Sequence, residues 1–247
     1  MSCQILSQEQ QDAARRSGAI LGDCLLMINE FIKPGVTTLE LDERAEEFIR
    51  SKGGVPGFKG YQGFPGTLCT SVNEECVHGI PSERELIDGD IISLDCGVLL
   101  DGIYTDACRT YPVGTISSDA DKLLKATEGS LKNVLNIVRA NVLTGDLSAS
   151  IQQYAEERGF KPVRSLTGHG LGDNLHQPPD IPNIGTKGTG VPIPNGALIA
   201  IEPIISAGSD IVKESSDGWT LVIKNLALSA HFEHSLLVHE DGCEVVA

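Results

Sequence analysis

The sequence predicts an α+β protein built as two similar halves, and three observations carry that prediction. Helix-spaced and strand-like stretches succeed one another in the order helix, helix, strands, helix, helix, strands. Asp101-Gly102 stands between two apolar runs, and an Asp-Gly pair so placed is the strongest short hairpin signal. No low-complexity linker parts the halves, so residues 1–247 read as a single domain whose halves share one sheet.

The elements follow in order. Ser7 opens the first helix with a capping-box pattern to Gln10. Ile20, Leu21, Cys24, Ile28, Phe31 and Ile32 recur at helical spacing until Lys33-Pro34-Gly35 stops the run. Thr37 and Glu40 open a second helix, whose buried stripe is Leu41, Ala45, Phe48 and Ile49 and whose stop is Gly53-Gly54. Strands over 91–100 and 103–112 flank the Asp-Gly turn. A third helix spans about 118–138, with Leu124, Leu131, Leu135 and Val138 facing inward; a fourth spans about 147–158 and ends before Gly159. Strands over 163–167, 197–205, 219–224 and 233–238 complete the second half.

Composition narrows the function classes. A hydrophobic content of 40% and a charged content of 21% are ordinary for a soluble globular chain. A net charge of −15 argues against a nucleic-acid face and against an anionic membrane. No segment approaches the ~20 apolar residues of a membrane span, and the N-terminus lacks the basic flank and apolar stretch of a secretory signal. The 7 cysteines are odd in number and form no CxxC pair. With no export signal, that usage indicates reduced thiols in the cytoplasm.

Chemistry concentrates at the hairpin. If Asp101 and Gly102 form the loop, facing positions sum to 203, so Asp95 faces Cys108 and Asp106 faces Gly97. Side chains alternate with period two, so the two aspartates share a face. On an inner face they would repel and be poorly solvated, and a cation between them removes both problems. The alternative is a pair of solvent-facing aspartates on an edge hairpin. His169 in GHGLG, Glu202 in IAIEPII and Glu233 in AHFEHSLLV are further candidate ligands. Glu202 interrupts an apolar run that a central strand would bury, where an unpaired Glu is rare. Four carboxylates and one imidazole favour manganese, iron or cobalt over the sulfur- and nitrogen-rich sites of structural zinc, and they are enough for a pair of metals.

Aromatics are only 4% of the chain, yet Phe58, Tyr61 and Phe64 fall within one seven-residue stretch just before Cys69. With Leu175 and Trp219, the only tryptophan, they offer an apolar pocket suited to an unbranched thioether. A small satellite core under a Gly-rich loop is the plainer reading.

Five segments in order, SVNEECVHGIP (71–81), LDCGVLLDGIYTDACRT (94–110), TGHGLGDNLHQPP (167–179), IAIEPII (199–205) and DGWTLVIKNLALSAHFEHSLLV (217–238), give the chain a family likeness. Over essentially its whole length it resembles the type I methionine aminopeptidases of the pita-bread metallopeptidase fold. The resemblance implies a pseudo-twofold antiparallel sheet covered by helices. It implies two divalent metal ions (Co, Mn, Fe or Zn) held by Asp95, Asp106, His169, Glu202 and Glu233. It makes His78, His176 and Glu202 catalytic, with Glu202 as general base and acid, His176 at the oxyanion and His78 at the substrate backbone. Phe58, Tyr61, Phe64, Cys69, His78, Leu175, His176 and Trp219 become the substrate-binding set, although Phe58 stands where the family commonly has a cysteine.

The implied activity is removal of the N-terminal methionine of nascent chains when the second residue is small, a rule that the chain's own Met1-Ser2 start fits. A cytoplasmic monomer without an N-terminal zinc-finger extension is expected. A transient ribosome contact, which the resemblance also suggests, finds no obvious basic surface here. The rivals are an Xaa-Pro peptidase of the same fold and a binding protein that kept the fold and lost catalysis.

Overall fold

A computed structural model describes residues 3–247; Met1-Ser2, the start that matches the substrate rule, lies outside the described residues. Helix α1 runs Gln8–Asn29 and α2 runs Thr38–Ser51, and both expected capping boxes are formed, by Ser7 with Gln10 and by Thr37 with Glu40. α1 ends at Asn29, a turn before the Lys33-Pro34-Gly35 stop, yet Phe31 and Ile32 still pack on the core. Leu21, Cys24, Leu25 and Ile28 of α1 pack with Leu41, Ala45 and Ile49 of α2 over Leu94, Cys96 and Val98 of the hairpin.

That hairpin is the backbone of the first half. Strand Ile91–Leu100 pairs antiparallel with Ile103–Pro112, Asp95 against Cys108 and Gly97 against Asp106. Asp101 and Gly102 both take positive φ, 50° and 80°, as a two-residue type I′ turn requires. Strand Leu68–Val72 adds on the other edge of Ile91–Leu100 and sets Cys69 opposite Asp95.

The second half repeats the plan with α3, Ser118–Leu135, and α4, Thr144–Glu156. α3 buries Leu123, Ala126, Ser130, Leu131 and Val134; Leu124 and Leu135, expected inward, are only partly buried. Small side chains on this stripe bring α4 close, and Ser130 Oγ donates to the Ile151 carbonyl. α4 begins three residues before the expected start, at Thr144.

The strands of this half depart from expectation in an informative way. The run 197–205 is broken into Leu198–Ile201 and Ile204–Ser206 around Glu202-Pro203, because Pro203 has no N–H to continue the ladder. The strand expected at 233–238 begins one residue later, as His234–Val238, and a separate strand, Ser229–His231, precedes it across Phe232-Glu233. Each pair of strands enters two different sheets: Leu198–Ile201 with His234–Val238, and Ile204–Ser206 with Ser229–His231. In place of the strand expected at 163–167, Lys161–Pro162 pairs with Ile204–Ser206 and Thr167–Leu171 with Leu198–Ile201.

Backbone pairing thus gives separate sheets rather than one shared sheet. The halves are joined where the free edge of Ile103–Pro112 meets 231–235: Glu233 N–H donates to the Cys108 carbonyl at 3.0 Å. No helix among the described residues is long and apolar enough to cross a membrane.

Candidate metal centre

The seam between the halves places the five expected ligands. On the hairpin, the confirmed register puts Asp95, Gly97 and Asp106 on one face. Across the seam, Ile201 opposes His234 and Ile204 opposes His231. The same register carried through the two breaks sets Glu202 against Glu233. His169 opposes Ala200, two residues before Glu202, and so shares its face. Sheet geometry alone therefore brings four carboxylates and an imidazole to one spot.

The local distances agree. His169 Nε2 lies 3.6 Å from Glu202 Oε1. Ligand atoms of Asp95, Asp106 and Glu233 lie within 4.8 Å of one another, as do those of His169, Glu202 and Glu233. His176 brings a ring nitrogen equally close to Asp106 and His169, with 4.3 Å between the two imidazole centroids. His169 donates from Nδ1 to the Gly170 carbonyl at 3.0 Å. That contact fixes the tautomer and turns an unprotonated Nε2 toward the carboxylates, as a metal-binding histidine requires.

Electrostatics show what the cluster lacks. Asp95 Oδ1, Asp106 Oδ1 and Glu233 Oε1 are buried without a hydrogen-bond partner among the described residues, a costly state for any carboxylate. Burial pushes Asp95 up to about 7. Burial and then neighbouring carboxylates push Asp106, Glu202 and Glu233 well above the usual carboxylate range. Burial holds His169 at about 3, so it stands neutral. Orphaned oxygens, mutual repulsion and a neutral imidazole form a donor set that divalent cations satisfy.

All eight residues expected at the substrate side line the same cavity of about 520 Å³ as the five ligands. Phe64 meets Trp219 edge-on at 5.2 Å between centroids, and Phe58 packs beside Leu175. Asp42 of α2 accepts from the Thr67 and Leu68 N–H groups at 2.7 Å, anchoring the strand that carries Cys69. Asp217 accepts from the Trp219 and Thr220 N–H groups at 2.9 Å and so shapes the loop that presents Trp219. Tyr61 shares a 3.2 Å hydrogen bond with His176 Nδ1. His78 lines the wall with a left-handed φ of 60°, a conformation uncommon outside glycine.

Among the histidines of the cavity, one escaped the sequence reading. His231 is 3% exposed, and its Nε2 stands 3.7 Å from Glu202 Oε2 and 3.6 Å from Glu233 Oε2.

The metallopeptidase family M24 model matches residues 12–240. The methionine aminopeptidase of Clostridium perfringens is 46% identical over 244 residues, covering 98% of each chain. The chain belongs to the methionine aminopeptidases of metallopeptidase family M24.

Solved structures of the family agree with the whole architecture. The methionine aminopeptidase from Rickettsia prowazekii superposes with a TM-score of 0.97 at 36% identity, over 99% of both chains. That from Thermotoga maritima gives 0.98 at 36% identity, again over 99% of both. The pita-bread fold of the family is therefore the fold here, and a metallopeptidase requires a divalent metal.

Proposed function

We propose that this chain is the aminopeptidase that removes N-terminal methionine from nascent proteins and peptides when the second residue is small. The observation that carries the reading is the convergence of Asp95, Asp106, His169, Glu202 and Glu233 with an aromatic pocket in one cavity. A pair of divalent cations, manganese, cobalt, iron or zinc, suits this set of donors. When bound, they supply Lewis acidity to the scissile carbonyl and to the attacking water.

The chain's own residues do the rest. Phe58, Tyr61, Phe64, Cys69, Leu175 and Trp219 enclose the methionine side chain, with sulfur set against aromatic edges. The free α-amino group is drawn toward the carboxylates, which an acylated amine cannot satisfy. Glu202 takes a proton from the nucleophilic water and returns it to the leaving amine. His176, held by Tyr61, donates to the developing oxyanion. His78 hydrogen-bonds the substrate backbone beside the scissile amide and limits the size of the second side chain. The catalytic unit is a single domain acting as a monomer on free N-termini in the cytoplasm. With a net charge of −15, any ribosome contact would be transient and not driven by attraction to RNA.

The test is hydrolysis of Met-Ala-Ser, formyl-Met-Ala-Ser, Leu-Ala-Ser, Met-Lys-Ser and Ala-Pro-Ser at equal concentration, with Mn²⁺ or Co²⁺ and after chelation. Rapid, metal-dependent turnover of the first alone is expected. Comparable cleavage of the formylated or leucyl peptide would refute the methionine assignment, and preference for Ala-Pro-Ser would make the chain an Xaa-Pro peptidase.

A further inference from the structure

His231 lines the cavity without a part in the mechanism above. Its backbone is fixed at both ends by Thr110, whose Oγ1 accepts from His231 N–H and donates to the His231 carbonyl, each at 2.8 Å. The main chain that carries the ring is therefore held in place, and Nε2 is buried with no hydrogen-bond partner among the described residues. It faces Glu202 Oε2 and Glu233 Oε2 at 3.7 and 3.6 Å, while the other oxygen of Glu202 faces His169.

Two roles fit a nitrogen so placed: a further ligand, or a donor holding ligands from behind. The groupings of ligand atoms within 4.8 Å of one another take in Asp95, Asp106, His169, His176, Glu202 and Glu233 and leave His231 out. Its distances to the carboxylates exceed a hydrogen bond by a few tenths of an ångström, a gap that a small ring or carboxylate rotation closes. A donor in this position fixes the orientation of ligating carboxylates, and loss of such a donor typically costs ~10–100-fold in metal affinity or activity.

We propose that His231 is a positioning residue whose Nε2–H bridges Glu202 and Glu233, setting both carboxylates toward the cations and restraining Glu202 during proton transfer. The proposal rests on the metal reading of the site. His231 acts through Glu202 and Glu233 and itself takes no part in the proton transfer.

Wild type, His231→Gln, His231→Asn and His231→Leu separate the possibilities. Gln carries its amide near the place of Nε2; Asn falls short of it; Leu donates nothing. After chelation, each protein is titrated with Mn²⁺ by calorimetry, and kcat and KM are measured on Met-Ala-Ser at saturating Mn²⁺. Pulsed electron paramagnetic resonance then reports imidazole nitrogen coupled to bound Mn²⁺.

Leu and Asn should weaken Mn²⁺ binding by about 10–100-fold and lower kcat with little change in KM. Gln should restore both to within a few-fold, and the imidazole coupling should be the same in all four. Wild-type affinity and kcat in Asn or Leu would overturn the bridge. So would Asn and Gln that behave alike, a contrast that holds even if Leu does not fold. Loss of an imidazole coupling in Leu or Asn would make His231 a ligand and overturn the positioning role. A wild-type protein that binds no Mn²⁺, Co²⁺, Fe²⁺ or Zn²⁺ would instead bring down the metal reading itself.

Discussion

Ser235 holds Asp106 by both its backbone groups: the Ser235 hydroxyl accepts from Asp106 N–H at 2.8 Å and donates to the Asp106 carbonyl at 2.7 Å. The two residues lie on different halves of the molecule, so this clamp sets one half's ligand against the other's. Ser235 is fully buried, and Ser235→Ala leaves a donor and an acceptor without water to replace it. The expected cost is about 1–3 kcal/mol of stability, with weaker Mn²⁺ binding because Asp106 loses its fixed place. Urea unfolding of the chelated protein and Mn²⁺ titration check both, and a wild-type urea midpoint would show that the clamp is dispensable.

Chelation should make stability fall with rising pH. The raised carboxylates keep protons in the folded chain that the unfolded chain has lost, Asp95 up to about 7 and the other three in the same direction. Stability present below the ordinary carboxylate range is therefore lost as pH rises through the folded values. His169 and His231, both held at about 3, act in the opposite sense: their contribution is present above the ordinary imidazole value of about 6.5 and disappears on acidification. Above that value the imidazole effect is nearly flat and the carboxylate slope remains, joined toward pH 8.5 by the buried thiols of Cys69, Cys76, Cys96 and Cys108, which are raised in the same direction. Melting curves from about pH 6.5 to 8.5 should show the chelated protein losing Tm, and saturating Mn²⁺ should flatten the loss, since the cations take the place of the protons. A chelated protein whose Tm rises over this range would contradict the assigned sign.

The hairpin was legible in sequence because Asp101-Gly102 strongly favours a two-residue type I′ turn, and that turn fixes the observed register in which Asp95 and Asp106 share a face. The caps at Ser7 and Thr37 were legible for the same reason, since each is a local bond between named side chains and backbone. The second half was harder to read. Glu202 was recognisable as anomalous in an apolar run, but not the fact that Pro203 hands the chain from one sheet to another just beside it. The strand Thr167–Leu171 was hidden by its glycines, which weaken strand propensity in sequence but are demanded by packing: a Cβ on Gly170 would stand 2.2 Å from the Pro178 carbonyl oxygen. The five ligands were candidates from their residue types and positions, and the family likeness joined them into one set. His231 was not among them, because nothing local tells a cavity histidine from a core one.

Glu202→Gln preserves the shape and one ligating oxygen of the side chain while removing its basicity. On Met-Ala-Ser, kcat should drop by about 10²–10⁴, with KM changing much less because the proton moves in the transition state. Metal content is measured on the same sample, so that loss of a cation is not mistaken for loss of a base. A fully metallated variant with unchanged kcat would remove Glu202 from the proton-transfer role.

His176→Ala should lower kcat by roughly 10²–10³ if the imidazole donates to the oxyanion. Tyr61→Phe, which breaks the 3.2 Å contact that orients the ring, should lower it by a smaller factor in the same direction. Both variants should retain their Mn²⁺. An effect confined to KM would move His176 from the oxyanion to ground-state binding.

Gly97 gives the sharpest test of the methionine pocket, because it stands between the metal face and the aromatic wall. It opposes Asp106 in the hairpin register and shares a strand face with Asp95. A Cβ there would lie 2.7 Å from Phe58 Cε1 and 3.0 Å from Cδ1, with Leu175 Cδ1 next at 3.5 Å. The Phe58 ring, rather than the backbone, must yield, and it shortens the space for the thioether. Gly97→Ala should therefore lower kcat/KM for Met-Ala-Ser by about 10–100-fold, the range for a methylene's worth of pocket. The loss should be smaller for a peptide whose first residue has a shorter unbranched side chain, such as norvaline, and Mn²⁺ binding should be unchanged because neither aspartate moves. Combining Gly97→Ala with Phe58→Cys, which removes the obstructing ring, should recover methionine turnover. An equal loss on both peptides, or failure of the second substitution to restore activity, would show that Gly97 serves the hairpin rather than the pocket.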